Sequence, residues 1–342
     1  MPTIKEDFFV KKKWLSIIVL MLVTMTTLLN GCNRNTNLIT VRLNEVVHSI
    51  FYAPQYVAME KGFFRDEGLD IELTTGWGAD KSMTALISNN ADIAFMGPEA
   101  SIYVKNEGKE DFVINFAQLT QRAGNFLIGR TQEDFDWDTI KGKTIIGGRP
   151  GGMPQMVLEY ILKINNIDPH ADVEILTNID YTATAGSFIG GTGDYTAEFE
   201  PSASKIENEG KGYVVTSLGI ESGLVPYTAY MAERSYMKAN PDVIQKFTNA
   251  IYRGQLWVEE HTPEEIAKVI KPQFKDTDMD LLVQIIDRYK RQDTWRKDPY
   301  FEKAGMDLLQ NILDTAGELD ARVKYDEIVT TEFAEEAIKN IE

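Results

Sequence analysis

Strand-like and helix-like hydrophobic patterns alternate along most of the chain after residue 40. Asp70–Thr74 has a period of two, with apolar Ile71 and Leu73 between polar neighbours, the pattern of a half-buried strand. Met153–Asn165 has a period near 3.6 and sets Val157, Leu158, Ile161 and Leu162 on one face. Read this way, the first run is strand Val41–Val46, helix Ala53–Phe64, strand Asp70–Thr74, helix Lys81–Ser88, strand Asp92–Met96, helix Glu99–Asn106 and strand Val113–Leu119. Pro54 falls in the first turn of its helix, where a missing N–H leaves no partner unsatisfied. The rhythm restarts after the loop Thr131–Asp138. It continues as strand Thr144–Ile146, helix Met153–Asn165, strand Val173–Leu176, helix Thr182–Phe188, strand Asp194–Glu198, helix Ser202–Glu209, and strands Tyr213–Leu218 and Tyr227–Ala232. Such alternation predicts an α/β fold of mostly parallel sheets flanked by helices, and two runs predict two lobes.

The last hundred residues read as helical. Asn240-Pro241 is expected to cap a helix with Phe247, Ile251 and Val258 buried, and Thr262-Pro263-Glu264-Glu265 spells a capping box. Leu282, Ile285, Ile286 and Tyr289 repeat at helical spacing, as do Leu308, Leu309, Ile312 and Leu313, and Gly317 ends that run. These helices are expected to pack on the first lobe, with the chain recrossing near Pro226. The expected boundaries are 40–121 with 226–342 for lobe one and 122–225 for lobe two.

The opening segment changes the picture. Lys11, Lys12 and Lys13 precede an apolar run from Trp14 to Leu29, which is shorter than the roughly 20 residues a membrane span needs. A basic stretch, a short apolar stretch and a small residue before the cut describe an export signal over 1–31. Leu29-Asn30-Gly31-Cys32 resembles the lipobox of bacterial lipoproteins, in which the cysteine is acylated. Cys32 is the single cysteine of the chain, and Asn33–Asn37 reads as tether within 32–39. The expected location is the extracytoplasmic face of the cell membrane, held by lipid.

With 35 basic and 52 acidic residues the net charge is −17, which disfavours nucleic acid and anionic membrane surfaces as partners. One cysteine allows no intrachain disulfide, and His48, His170 and His261 form no ligand spacing, so neither metal nor cofactor is expected. No Ser-His-Asp order or paired-carboxylate motif stands out for catalysis.

In open parallel sheets, ligands bind beyond the carboxyl ends of strands. Four loops occupy such positions: His48-Ser49-Ile50-Phe51-Tyr52, Gly76-Trp77-Gly78, Gly97-Pro98-Glu99, and Gly147–Gly152 in the second run. Glycines there let backbone approach a ligand closely. Gly147–Gly152 lacks the spacing of a Walker A or dinucleotide motif. Tyr52 and Trp77 can stack on a planar ring. Glu99 is a candidate acceptor, Arg149 a candidate for holding a sulfonate or carboxylate or a surface arginine, Glu200 lies at the second lobe's lip or serves the N-terminal turn of the next helix, and Tyr227 lies at the recrossing. His48 could donate to a ligand or be incidental. Aromatics with two carboxylates and one arginine lean toward a planar, nitrogen-rich organic ligand.

The run Tyr52-Ala53-Pro54-Gln55-Tyr56-Val57-Ala58, followed by Glu60-Lys61-Gly62-Phe63-Phe64 and Glu67-Gly68-Leu69-Asp70-Ile71-Glu72-Leu73, resembles a well-marked family. It is similar to the binding proteins that feed ABC importers of taurine, alkanesulfonates, nitrate and thiamine-pyrimidine precursors. The resemblance extends through Ala91-Asp92-Ile93-Ala94-Phe95-Met96-Gly97 and Phe199-Glu200-Pro201-Ser202-Ala203. It implies a two-lobe periplasmic-binding-protein-like fold of type II, a monomer, and delivery of a small sulfonate, nitrate or pyrimidine-like ligand to permease subunits without catalysis. By position it implies binding loops at Ser49, Phe51 and Tyr52; Gly76 and Trp77; Gly97 and Glu99; Arg149, Gly151, Gly152 and Met153; and Phe199 and Glu200. Tyr227 joins them from its place at the recrossing. The fungal pyrimidine synthases share this fold and are enzymes, but they resemble a cysteine-rich variant, and Cys32 is the only cysteine here. An exported enzyme of that branch and a ligand-sensing subunit stand as the alternatives.

Overall fold

The computed structural model describes residues 38–341. The expected signal segment 1–31, the acylation site Cys32 and the tether as far as Asn37 lie outside the described residues.

Among the described residues, ten strands form two mixed sheets. The first holds β1 (Ile39–Glu45), β2 (Leu69–Thr75), β3 (Ile93–Met96), β4 (Val113–Thr120) and β10 (Thr228–Glu233), in the order β2-β1-β3-β10-β4. The second holds β5 (Asn125–Gly129), β6 (Thr144–Ile146), β7 (Glu174–Leu176), β8 (Tyr195–Phe199) and β9 (Tyr213–Ser217), in the order β7-β6-β8-β5-β9. The two orders are the same pattern. In each, three strands pair in parallel and the fourth position runs backwards: β10 is antiparallel to β3 and β4, and β5 to β8 and β9.

The strand β5 differs from the sequence reading, which passed over it. All five of its residues are buried, so Asn125-Phe126-Leu127-Ile128-Gly129 has no alternation to betray it. The expected helix Ala53–Phe64 is also interrupted. It ends at Glu60, Gly62 turns the chain at φ 77°, and a short helix Phe63–Asp66 follows. Asn240 makes no side-chain cap for the helix Pro241–Glu260. It closes the preceding helix Arg234–Ala239 instead, and its Nδ2 donates back to the Tyr236 carbonyl at 3.1 Å.

Helix Pro241–Glu260 buries Phe247, Ile251 and Val258 and packs against Ala53–Glu60 and Glu332–Ile341. A Cβ on Gly254 would stand 2.4 Å from the Pro54 carbonyl oxygen, so this close crossing of helices requires glycine. The Thr262 capping box forms as expected, with Glu265 reciprocating. Two later helices do more than pack on the first sheet. Met279–Arg291 sends Arg288 to Glu200 and Glu207 beside the second sheet, and Lys303–Ala316 packs along Met153–Ile164.

Candidate functional site

Strand register decides where the candidate loops fall. In the first sheet Glu45 pairs with Thr75 and with Phe95, Met96 with Ala229, and Thr120 with Thr228. One step further along each strand, Val46, Gly76, Gly97, Gln121 and Tyr227 therefore share one edge. In the second sheet Ile146 pairs with Leu176 and Thr196, and Asn125 with Phe199. Gly147, Thr177 and the start of β5 share that sheet's corresponding edge. The chain passes from edge to edge at Gln121–Gly124 and returns at Leu218–Tyr227, so the two carboxyl edges face each other.

The junction between them is aromatic. Phe51 is buried and its ring lies 5.5 Å from Tyr52, 6.0 Å from Phe199, 5.8 Å from Tyr227 and 5.3 Å from Tyr289. The crossing at Gly124 presses against that ring, since a Cβ there would meet it at 2.6 Å. Ser49 shapes the approach: its Oγ accepts from the Phe51 N–H at 3.3 Å and begins a short 3-10 turn, Ile50–Tyr52. Trp295 anchors the same turn by donating its indole N–H to the Phe51 carbonyl at 2.8 Å. Tyr52 stacks edge-on against Phe95, 4.5 Å away.

Beneath this turn lies a closed polar network. Glu45 is fully buried and accepts from Gln55 at 2.8 Å, from the Tyr56 hydroxyl at 2.7 Å and from Thr75 at 3.3 Å. His48 joins it through Nδ1 at 2.8 Å, and its Nε2 meets the Gln273 carbonyl at 3.1 Å. Both nitrogens of His48 are thus engaged, and the hydrogen bond to Glu45 raises its pKa.

Glu99 is different. It is 6 % exposed at the start of helix Glu99–Asn106, and its Oε2 has no partner. Burial pushes its carboxyl up to about 7, opposed by a hydrogen bond from its own backbone N–H. The carboxylate folds over Gly97, where a Cβ would come within 2.1 Å of it. The Tyr227 hydroxyl is likewise buried without a partner. Gly76 is fitted closely too: a Cβ would lie 2.2 Å from Ser82 Oγ and 2.9 Å from Asn44 Oδ1, both unpartnered. Trp77 beside it is 63 % exposed, and its φ of 59° lies in the left-handed region that non-glycine residues rarely enter.

The second sheet's loop is more open. Arg149 is exposed and reaches Asp180 at 3.4 Å. The Gly151 N–H donates to Gln155 Oε1 at 3.1 Å, while Gly152 caps the helix that begins at the buried Met153. Glu200 does not line an open lip. Its side chain is fully buried, accepts from the Ser204 N–H at 2.9 Å and Oγ at 2.8 Å, and pairs with Arg288 at 2.6 Å. It accepts from the first turn of the next helix and clasps a C-terminal one.

Phe51, Tyr52, Phe199 and Tyr227 come together at the junction, with Glu99 acting electrostatically on both tyrosines. Ser49 and Gly97 support them. Trp77 and the Arg149–Met153 loop stand further out on their two edges. The sequence reading missed the part played by Tyr289, whose hydroxyl donates to the Gly124 carbonyl at 3.1 Å and accepts from the Glu200 N–H at 3.3 Å. It also missed Glu198, held by Thr196 at 2.7 Å and Thr184 at 3.2 Å and raised by burial to about 6. Polar residues at both ends of the alternating Thr196–Glu198 pair were the available signal.

Comparison with known proteins places this geometry. A family model described as NMT1/THI5 like matches residues 50–266. YtlA of Bacillus subtilis (strain 168), which is assigned as a binding protein, is 51 % identical over 308 residues, spanning 90 % of this chain and 92 % of that one. The periplasmic nitrate-binding protein NrtA from Synechocystis PCC 6803 superposes with a TM-score of 0.73 at 17 % identity, covering 89 % of each chain. The alkanesulfonate-binding protein SsuA from Xanthomonas axonopodis pv. citri, solved with MOPS bound, gives 0.67 at 14 % identity over 85 % of this chain and 98 % of its own. These two likenesses share the fold.

The clasp generates a stability prediction. Arg288→Met leaves the buried Glu200 carboxylate without its cation and should lower unfolding free energy by on the order of 3 kcal/mol. Adding Glu200→Gln should restore much of that loss, because both charges are then gone. Urea denaturation of the two single variants and the double variant measures the coupling. A loss below about 1 kcal/mol in Arg288→Met would rank the pair with surface ion pairs.

Proposed function

The chain belongs to the NMT1/THI5-like family, and on that premise we propose that it is the extracytoplasmic solute-binding subunit of an ABC importer. It captures a small organic molecule between the two sheet edges and presents it to permease subunits. One observation carries the reading: two sheets of the same strand order meet carboxyl edge to carboxyl edge, and Glu99 Oε2 and the Tyr227 hydroxyl lie buried there without partners. Buried polar atoms are ordinarily satisfied. A ligand held between the edges would satisfy these.

Residues 40–121 with 226–342 form one lobe in this reading, and 122–225 the other. The ligand touches both, so it favours the closed arrangement by its differential affinity. The exposed Trp77 offers a ring face, which supports a planar ligand, while Tyr52 is buried with its ring against Phe51 and Phe95. Arg149 is paired with Asp180 and exposed, which weakens its claim as an anion clamp. The lipid anchor belongs to the same proposal. Cys32 follows a short apolar run, and acylation there would hold an acidic protein at a membrane its surface does not favour.

Native mass spectrometry of freshly purified protein should reveal a co-purifying small molecule, and calorimetry with that molecule should then rank the side chains. Trp77→Ala is expected to weaken binding by roughly tenfold, a stacking contribution near 1.4 kcal/mol, and Arg149→Ala to change it little. A dominant Arg149 effect beside a silent Trp77 would reverse the ligand class. Protein that never carries or binds a small molecule would remove the reading itself. For the anchor, Cys32→Ala should release the protein from the membrane fraction or block its processing, and unchanged retention and processing would count against acylation.

A further inference from the structure

Resting on the binding-protein reading, the geometry points to Glu99 and Tyr227 as the pair that selects the chemical class of the ligand: one presenting N–H donors on a neutral or cationic nitrogen, and not an oxyanion. Two structural facts lead there. The N-terminus of an eight-residue helix ordinarily welcomes an anion, but at Glu99–Asn106 that place is filled by the chain's own carboxylate, which accepts from the Glu99 N–H and folds over Gly97. Where Glu99 is ionised, above about pH 7, an incoming oxyanion would meet a like charge at short range in a desolvated setting. Glu99 Oε2 is moreover an acceptor with no donor, although the residue is only 6 % exposed.

The groups around Glu99 are neutral hydroxyls. Tyr52 approaches from the turn Ile50–Tyr52, Tyr103 from the same helix, and Tyr227 from the segment leading into β10, each feeling the Glu99 charge. On the helix itself, Ser101, two residues beyond Glu99, accepts from Asn115 of β4 at 2.8 Å. Glu318, past the end of Lys303–Ala316, acts on Tyr103 and adds another negative group. An N–H donor is therefore the complementary occupant for Oε2. Tyr227 can donate to a neighbouring ring nitrogen or carbonyl, or accept from a second N–H.

Protons report the same interaction. With its carboxyl held up at about 7 by burial, Glu99 in the empty site binds a proton below that value. A cationic probe must displace it, so affinity should rise as pH increases from about 5.5 to about 7.5 and level off above. The same raised carboxyl contributes stability to the empty protein that is present below the ordinary carboxylate range and is lost as pH climbs through about 7.

The test is calorimetry of the mature protein against four probes: benzamidine and 4-aminopyridine, which keep their charge across this pH range, and nitrate and methanesulfonate. The two nitrogen probes should bind more tightly than the two anions, and with increasing affinity as pH rises. Glu99→Gln should weaken them by at least about tenfold and flatten the pH dependence. Tyr227→Phe should weaken them less and leave the pH dependence in place, which separates it from simple loss of structure. Anions binding more tightly than nitrogen probes, or nitrogen binding indifferent to Glu99→Gln, would overturn the assignment and leave the binding-protein reading standing. Silence from all four probes in protein that still carries a co-purified molecule also overturns it. Silence together with no co-purified molecule sinks both.

Discussion

The arrangement depends on a four-residue crossing. β4 ends at Thr120 and β5 begins at Asn125, so only Gln121–Gly124 separates the two sheets. A link that short cannot wrap around either sheet, and the chain must enter the second sheet from the edge where it left the first. That is why β5 runs against its neighbours, and why β10 does the same on return. The two crossings lie side by side: a Cβ on Gly219 would meet the Ala123 carbonyl at 2.2 Å, and Arg122 donates to the Gly219 carbonyl at 3.2 Å. Gln292 ties them further, donating to the Ala123 carbonyl at 3.0 Å and bonding Ser217 at 2.7 Å. Facing carboxyl edges follow from this connectivity alone, and with them a place where loops from both sheets converge.

What fills that place divides into two kinds of contact. Around Phe51 the rings of Tyr52, Phe199, Tyr227 and Tyr289 remove apolar surface from water. The C-terminal helix Met279–Arg291 then reaches over with Arg288 and Tyr289, which bond groups on the second sheet's side. The helix therefore ties the second sheet to the C-terminal helices as a third link beside the two crossings. Glu45 and Glu99 illustrate the contrast between structure and readiness. Both are buried carboxylates at the same sheet edge, but Glu45 has donors on both oxygens while Glu99 Oε2 has none.

Much of this was legible in the sequence where local pattern decides it. The two runs of strand and helix, the Thr262 box, and the Gly-Pro-Glu turn that opens Glu99–Asn106 could all be read from neighbouring residues. The strand β5 could not, because a strand buried on both faces carries no period. Glu200 read either as a lip residue or as part of the next helix's N-terminal turn, and its bonds to Ser204 realise the second. Its actual partner, Arg288, lies 88 residues further on, at a separation that no local motif spans. Tyr289 read as one member of a helical stripe, yet its hydroxyl serves the Gly124 carbonyl 165 residues away. The need for glycine at position 76 likewise appears only once Ser82 and Asn44 are seen converging on it.

The most direct test of the central claim, that the two facing edges enclose a ligand on Glu99 and Tyr227, is a crystal structure of protein purified without denaturation or extensive dialysis. The account predicts electron density for a small molecule between the edges, with a donor nitrogen within hydrogen-bond distance of Glu99 Oε2 and a polar atom on the Tyr227 hydroxyl. A bound molecule seated elsewhere, or Glu99 turned to a protein cation while the edges close on each other, would contradict it.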